Sequence, residues 1–145
     1  SEPERQAPRE EAVEPSAPRV LVVDDDPQTR RFVRALLEHN DYEVTEANNG
    51  DAALKLIKDA STPYSLVLLD LNMPQLGGEE VLSVLRGSER ERSIPVVVLT
   101  ASNGKSEIQI LEKGADDYVP KPIVPDRLLA RVQATLRRAE VYRAG

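Results

Sequence analysis

Apolar residues follow two rhythms along this chain. Val20-Leu21-Val22-Val23, Leu66-Val67-Leu68-Leu69 and Val96-Val97-Val98-Leu99 are unbroken runs rich in β-branched residues or leucine. Such runs mark strands covered on both faces, because a strand with one solvated face would alternate. Residues 42–47 alternate less cleanly, and Tyr118-Val119 is a short fifth strand candidate. Between these runs the spacing becomes helical. Phe32, Val33, Leu36 and Leu37 form one such set, Ala53, Leu54, Leu56 and Ile57 a second, and Val81, Leu82 and Leu85 a third. Ile108, Ile110 and Leu111 form a fourth, and Leu128, Leu129, Val132 and Leu136 a fifth. Asp26-Pro27 reads as an N-cap followed by proline at the first helical position, and Gly114 sits where the fourth helix should stop.

Five strand–helix repeats with short connections imply a parallel sheet wound right-handedly, with helices on both faces. The expected fold class is α/β, a single doubly wound flavodoxin-like (βα)5 domain with sheet order 2-1-3-4-5. No internal sequence repeat or coiled-coil heptad interrupts that pattern. The expected domain spans residues 19–143. Residues 1–18 differ in kind: they hold four of the eleven prolines and five glutamates against two arginines, a net charge of -3. Such a stretch buries too little apolar surface to offset its ordering entropy and reads as a disordered acidic tail or linker. Beginning at Ser1, the chain has the look of an excised or processed piece. Only a few residues follow the fifth helix, so the chain is expected to be either a stand-alone domain or one excised from a longer protein.

Composition narrows the function classes. The 145 residues are 40% hydrophobic and 30% charged, enough for one soluble core. A net charge of -6 argues against direct nucleic-acid binding, which needs a basic face. The absence of cysteine removes disulfides, thiolate zinc sites and cysteine nucleophiles, and a single histidine, His39, disfavours a Ser-His-Asp hydrolase. No apolar run approaches membrane-spanning length and no secretory signal is present, so the expected location is the cytoplasm, with no membrane partner.

The polar residues that terminate the apolar runs are more telling. Asp24, Asp25 and Asp26 come after the first run, Asp70 after the third, Thr100 after the fourth, and Lys121 just beyond the fifth. In a parallel sheet all of these gather at the carboxyl edge, where open α/β sheets bind ligands at the point of strand-order reversal. Crowded carboxylates repel by roughly 4 kcal/mol per pair at about 4 Å and an effective dielectric near 20. A cation or protons must therefore share the site, and an all-oxygen set suits Mg²⁺. The blander alternative makes strand-end aspartates mere helix caps; that fits Asp26 but not Asp25 and Asp70 together. Carboxylate, divalent cation, Lys121 and the Thr100 hydroxyl are the parts of phosphoryl transfer, where positioning and charge neutralisation dominate. Lys121-Pro122 is a candidate cis peptide that would aim Lys121 back over the strand ends.

Four segments in order carry a resemblance: residues 20–26, Leu68-Leu69-Asp70-Leu71-Asn72-Met73-Pro74, Val98-Leu99-Thr100-Ala101, and residues 114–122 (Gly-Ala-Asp-Asp-Tyr-Val-Pro-Lys-Pro). From Arg19 to about Glu140 the chain resembles a response-regulator receiver domain, the phosphorylated partner of bacterial two-component signalling. The resemblance implies that Asp70 is the phosphoacceptor, catalysing with Lys121 and Thr100 its own phosphorylation and dephosphorylation rather than acting as a conventional enzyme. It implies a metal site of Asp24, Asp25, Asp70 and the Asn72 backbone carbonyl for Mg²⁺, with Mn²⁺ as an alternative ion. Asp25 would be a direct ligand and Asp24 would act largely through a water. Thr100 and Tyr118 would be the switch pair, and Asn72 and Ser102 would tune hydrolysis. The implied partner is a sensor histidine kinase or phosphotransfer protein, with the face of Gln28, Thr29, Phe32 and Leu36 helping to choose it.

The last helix and Asp116-Asp117 resemble the branch of the family that dimerises through the fourth helix, fifth strand and fifth helix. The candidate dimer face is Glu107, Ile108, Leu111, Asp116, Asp117, Arg127, Leu129, Arg131 and Arg138. That branch pairs a basic residue at position 107 with an acidic one at 127; Glu107 and Arg127 reverse the signs. Two further departures are Ile123, where the family often has Phe, and a segment from Thr100 to Gly114 one residue shorter than usual. Rival readings are a pseudo-receiver that only binds partners and a haloacid-dehalogenase-type phosphatase. The first usually lacks an acid, the acceptor or the lysine, all present here. The second expects its acidic pair after the lysine, whereas Asp116-Asp117 precede Lys121. A flavodoxin-like FMN site is disfavoured by the acidic first loop, which would repel a phosphate.

Overall fold

The computed structural model describes residues 17–101 and 107–144. Five strands alternate with five helices: β1 (Arg19–Val23), α1 (Pro27–His39), β2 (Glu43–Ala47), α2 (Gly50–Asp59), β3 (Leu66–Asp70), α3 (Gly78–Gly87), β4 (Val96–Thr100), α4 (Glu107–Glu112), β5 (Asp117–Pro120) and α5 (Pro125–Ala144). All strand pairs are parallel, in the order β2-β1-β3-β4-β5. The expected doubly wound topology is therefore the observed one. Among the described residues no helix is long and apolar enough to cross a membrane.

The uninterrupted strands alternate after all, between two cores rather than between core and water. Leu21, Val23, Val67, Leu69, Val96 and Val98 face the cluster built with Ala53, Ile57, Val81, Leu82 and Leu85 of α2 and α3. Val20, Val22, Leu66, Leu68, Val97 and Leu99 face Val33, Leu37, Leu128 and Val132 of α1 and α5. Burying each such side chain contributes on the order of 1.5–3 kcal/mol, so both helix layers are held to the sheet by the same strands.

Helix starts follow local chemistry. The Asp26 carboxylate accepts from the Gln28 N–H (3.1 Å) and the Thr29 hydroxyl (2.7 Å), with Pro27 opening α1. Asn49 caps α2 by accepting from the Ala52 N–H at 2.8 Å. Gly114, at φ 109°, adopts the left-handed conformation that ends the fourth helical segment. Helical spacing overstated two faces. Phe32 is exposed, and on α4 only Ile110 is buried while Ile108 and Leu111 are 68% and 44% exposed.

A half-buried ion cluster fastens α1 to β2. Glu46 accepts from Arg30 Nε at 2.9 Å and from Arg34 Nη1 at 2.7 Å. The Arg34 hydrogen bond, against opposing burial and with further help from Arg30, holds the Glu46 carboxyl below its ordinary range. A depressed carboxyl adds stability that is complete above the unfolded value and is lost as pH falls through the folded one. Glu46→Gln should therefore lower unfolding stability by about 1 kcal/mol at neutral pH and by almost nothing near pH 3. Urea denaturation at the two pH values reads the difference, and an equal loss at both would overturn this account.

Candidate functional site

Parallel register delivers the strand ends to one edge. Val23 lies opposite both Ala47 and Leu69, Asp70 opposite Leu99, and Thr100 opposite Pro120. Asp24 continues β1 and its N–H donates to the Ala47 carbonyl at 3.2 Å. Asp24 is fully buried and Asp70 is 1% exposed, while Asp25 faces solvent. Oxygens from these three carboxylates lie within 4.8 Å of one another, as their places at the strand ends require.

Lys121 bridges the two buried acids. Lys121 Nζ stands 2.9 Å from Asp24 Oδ2 and 3.4 Å from Asp70 Oδ1. Burial would lower the ammonium, but the Asp24 and Asp70 carboxylates more than compensate and hold Lys121 above its ordinary value. For Asp70, burial pushes the carboxyl up and the neighbouring Asp24 charge adds to that. The Asn72 N–H, donating to Asp70 Oδ1 at 3.0 Å, and Lys121 oppose the rise. Asp24 Oδ1 accepts from the Asp26 N–H at 2.9 Å. Its Oδ2 contacts Lys121 by distance alone and, among the described residues, is the buried side-chain oxygen left without a directed hydrogen-bond donor. Buried carboxylate oxygens need such a donor or a cation. An oxygen-only set of three acids whose buried members share a single ammonium fits a hard divalent cation.

Thr100 ends β4 with 5% exposure and its carbonyl accepts from the Lys121 N–H at 2.7 Å. The Lys121-Pro122 peptide is cis, as expected from the sequence. Tyr118 on β5 reaches the Glu107 carboxylate on α4; burial first, and then that carboxylate, push its hydroxyl upward. Asn72 is exposed beside Asp70, and Ser102 lies outside the described residues.

The chain matches the response regulator receiver domain family model over residues 20–133. It belongs to that family. Curated relatives include the transcriptional regulatory protein ResD of Bacillus subtilis, 41% identical over 122 residues, which cover 83% of this chain and 49% of ResD. The response regulator MprA of Mycobacterium tuberculosis is 45% identical over 123 residues, 84% of this chain and 52% of MprA. The chain thus spans about half the length of these relatives. The solved receiver domain of the Francisella response regulator 1452 superposes with a TM-score of 0.75 at 35% identity, covering 83% of this chain and 98% of that one. The signal receiver domain of a Vibrio parahaemolyticus Luxo repressor protein gives 0.79 at 28%, covering 88% and 96%. The protein is a receiver domain of the two-component type, and neither rival family is favoured by these likenesses.

Of the candidate dimer residues, Glu107, Ile108, Leu111, Arg127 and Arg131 are exposed and Leu129 is half-buried in this receiver domain. Asp117 pairs within the chain with Arg131 at 3.6 Å and Arg138 at 4.0 Å. Asp116 accepts from the Val96 N–H at 2.7 Å and from Arg86 at 3.0 Å. Three supporting residues have no counterpart among the sequence-predicted site residues. Arg30 donates to the Asp24 carbonyl at 2.7 Å, fixing the acidic loop from α1. Gly78 lets α3 press on the Asp70 backbone, because a Cβ there would collide with the Asp70 carbonyl oxygen. Arg86 ties α3 to the α4–β5 connection through the Gly114 carbonyl at 2.8 Å. The Gly77-Gly78 pair was a visible signal; nothing local distinguishes Arg30 from Arg31 or Arg34.

Proposed function

We propose that this receiver domain accepts a phosphoryl group on Asp70 from a phosphohistidine of a sensor histidine kinase or phosphotransfer protein, and that the transfer switches the α4-β5-α5 face. The observation that carries the reading is the convergence of Asp24, Asp25, Asp70 and Lys121 at the carboxyl edge of the sheet. Asp24, Asp25, Asp70 and the Asn72 backbone carbonyl would hold Mg²⁺, or Mn²⁺ in its place. When bound, the ion supplies positive charge to the phosphoryl oxygens.

The remaining work falls to the chain's own groups. An oxygen of Asp70 attacks phosphorus in line with the P–N bond of the donor. That bond breaks, its electron pair stays on the imidazole nitrogen, and an acyl phosphate forms. Lys121 leaves its resting partners for the new phosphoryl oxygens, and the Thr100 hydroxyl donates to them. Tyr118 then leaves Glu107 and turns inward, changing the face on which a second copy docks. In the separate hydrolysis step water attacks phosphorus, the Asp70 carboxylate departs and inorganic phosphate leaves, with Asn72 and Ser102 governing access. Glu107, Ile108, Leu111, Asp116, Asp117, Arg127, Leu129, Arg131 and Arg138 form the proposed dimer face. The cytoplasm is the proposed location, and an output domain in a longer chain is the proposed effector.

Incubation with Mg²⁺ and a small phosphodonor should add one base-labile phosphoryl group by intact mass, and none when the ion is chelated. The same sample, sized before and after, should move from monomer toward dimer. Failure to form the adduct together with failure to bind Mg²⁺ and beryllofluoride would reject phosphorylation and favour a pseudo-receiver.

A further inference from the structure

At the amino ends of β4 and β5, across the sheet from the acidic pocket, lies a cavity of about 520 Å³. Arg86, Arg92 and Arg138 line it against a single acid, Asp116. Arg86 is locked in place: Nε donates to the Gly114 carbonyl at 2.8 Å, Nη1 to those of Ile94 at 2.8 Å and Arg92 at 3.1 Å, and Nη2 to Asp116 at 3.0 Å. The cavity floor is thus preformed, which lowers the ordering cost of binding. The other two guanidiniums are less fully paired. The Arg92 side chain meets no acid among the described residues, and Arg138 has only Asp117 at 4.0 Å, which Arg131 already holds at 3.6 Å. Thr135, 2% exposed, turns its hydroxyl to Arg138 at 3.3 Å, while Pro95 and Ala139 give the cavity an apolar wall.

Three guanidiniums against one carboxylate leave an excess of two positive charges, the complement of a phosphate monoester dianion. The volume lies within the range of small-molecule sites and far exceeds what a lone oxyanion fills. We propose that this cavity binds an organic phosphate, its phosphoryl group between Arg92 and Arg138 and its organic body against Pro95 and Ala139. Because Gly114 and α5 form part of the wall, an occupant would touch the connection between α4 and β5. This site is separate from Asp70 and does not depend on its phosphorylation.

The test is a backbone-amide NMR titration without Mg²⁺, with adenosine 5′-monophosphate, inorganic phosphate and adenosine as probes. The monophosphate should give saturable shifts at the Ser93, Gly114 and Thr135 amides, inorganic phosphate the same shifts about tenfold more weakly or less, and adenosine none. Arg92→Ala with Arg138→Ala, both exposed positions, should weaken monophosphate binding by about tenfold or more, the unperturbed remainder of the spectrum reporting that the fold is kept. Shifts confined to the Asp24, Asp70 and Lys121 region, no saturation, equal binding of adenosine or of inorganic phosphate, or indifference to the double substitution would each overturn the proposal.

Discussion

Replacing Asp70 by Asn should abolish the Mg²⁺-dependent phosphoryl adduct, because the amide offers no anionic oxygen to attack phosphorus. The same substitution should make the metal-free domain more stable at neutral pH. Asp70 is almost wholly buried beside Asp24, and its carboxyl is pushed up by that burial and by the Asp24 charge. A raised carboxyl contributes stability that is complete below its unfolded value, near 3.8, and is lost as pH rises through the folded value. At pH 7 the wild-type carboxylate is therefore a liability, which Asn removes while keeping size and shape. The gain should be on the order of 1–3 kcal/mol, since Lys121 offsets part of the repulsion between the acids. It should vanish below about pH 4. Excess Mg²⁺ should shrink or invert it, because the proposed ion would stabilise the wild type by mass action and the variant would lack one of its proposed ligands. Chemical denaturation with and without Mg²⁺ measures both effects; a less stable metal-free variant at pH 7 would contradict the electrostatic account.

Gly78→Ala should destabilise the domain, although helix propensity argues the opposite. Alanine in place of glycine within a helix is worth up to about 1 kcal/mol. Here the added methyl would collide with the Asp70 carbonyl oxygen and stand 2.8 Å from the Leu71 Cα, both backbone atoms that cannot rotate away. Either α3 or the end of β3 has to move, and overpacking of this kind costs about 1–3 kcal/mol or more. After that offset the net loss should be about 2 kcal/mol when neither segment yields, and less where one can shift. Since the displaced atom belongs to the proposed phosphoacceptor, the rate of phosphorylation from a small donor should also fall, by about tenfold or more for a sub-ångström displacement. Gly87 is the natural control: its position is open, and Gly87→Ala should leave both measurements close to wild type. Unchanged stability and rate in Gly78→Ala would remove the contact from any role.

The two substitutions mark the limits of what a linear reading reaches. Asp70 stood out because a charged residue directly after four apolar ones has to lie at a strand end, and strand ends of a parallel sheet share an edge. Gly78 belongs to a glycine pair that reads equally well as a loose turn. Its packing on Asp70 comes from the way α3 returns across β3. Arg30 and Glu46 are similar. α1 carries three arginines, Arg30, Arg31 and Arg34, and only the crossing of α1 over β1 and β2 selects Arg30 to hold the Asp24 carbonyl and shares Glu46 between Arg30 and Arg34. The helical periodicity of residues 108–111 suggested a packed face, yet α4 is a short edge helix that covers little of the sheet, so Ile108 and Leu111 stay in solvent.

The linear order of residues was enough to specify the alternation of strands and helices, the two-sided burial of the sheet, and the gathering of Asp24, Asp25, Asp70, Thr100 and Lys121 at one edge. These follow from short-range properties: side-chain period, capping chemistry and the polar residue that ends each apolar run. Four features emerged only on folding. Lys121 sits nearer Asp24 than Asp70, one Asp24 oxygen lacks a directed donor, α3 bears on Asp70 through Gly78, and arginines collect around a cavity at the other end of β4 and β5. Most of these contacts join residues far apart in the chain. Their distances depend on strand order, helix crossing and packing density, which no local pattern encodes.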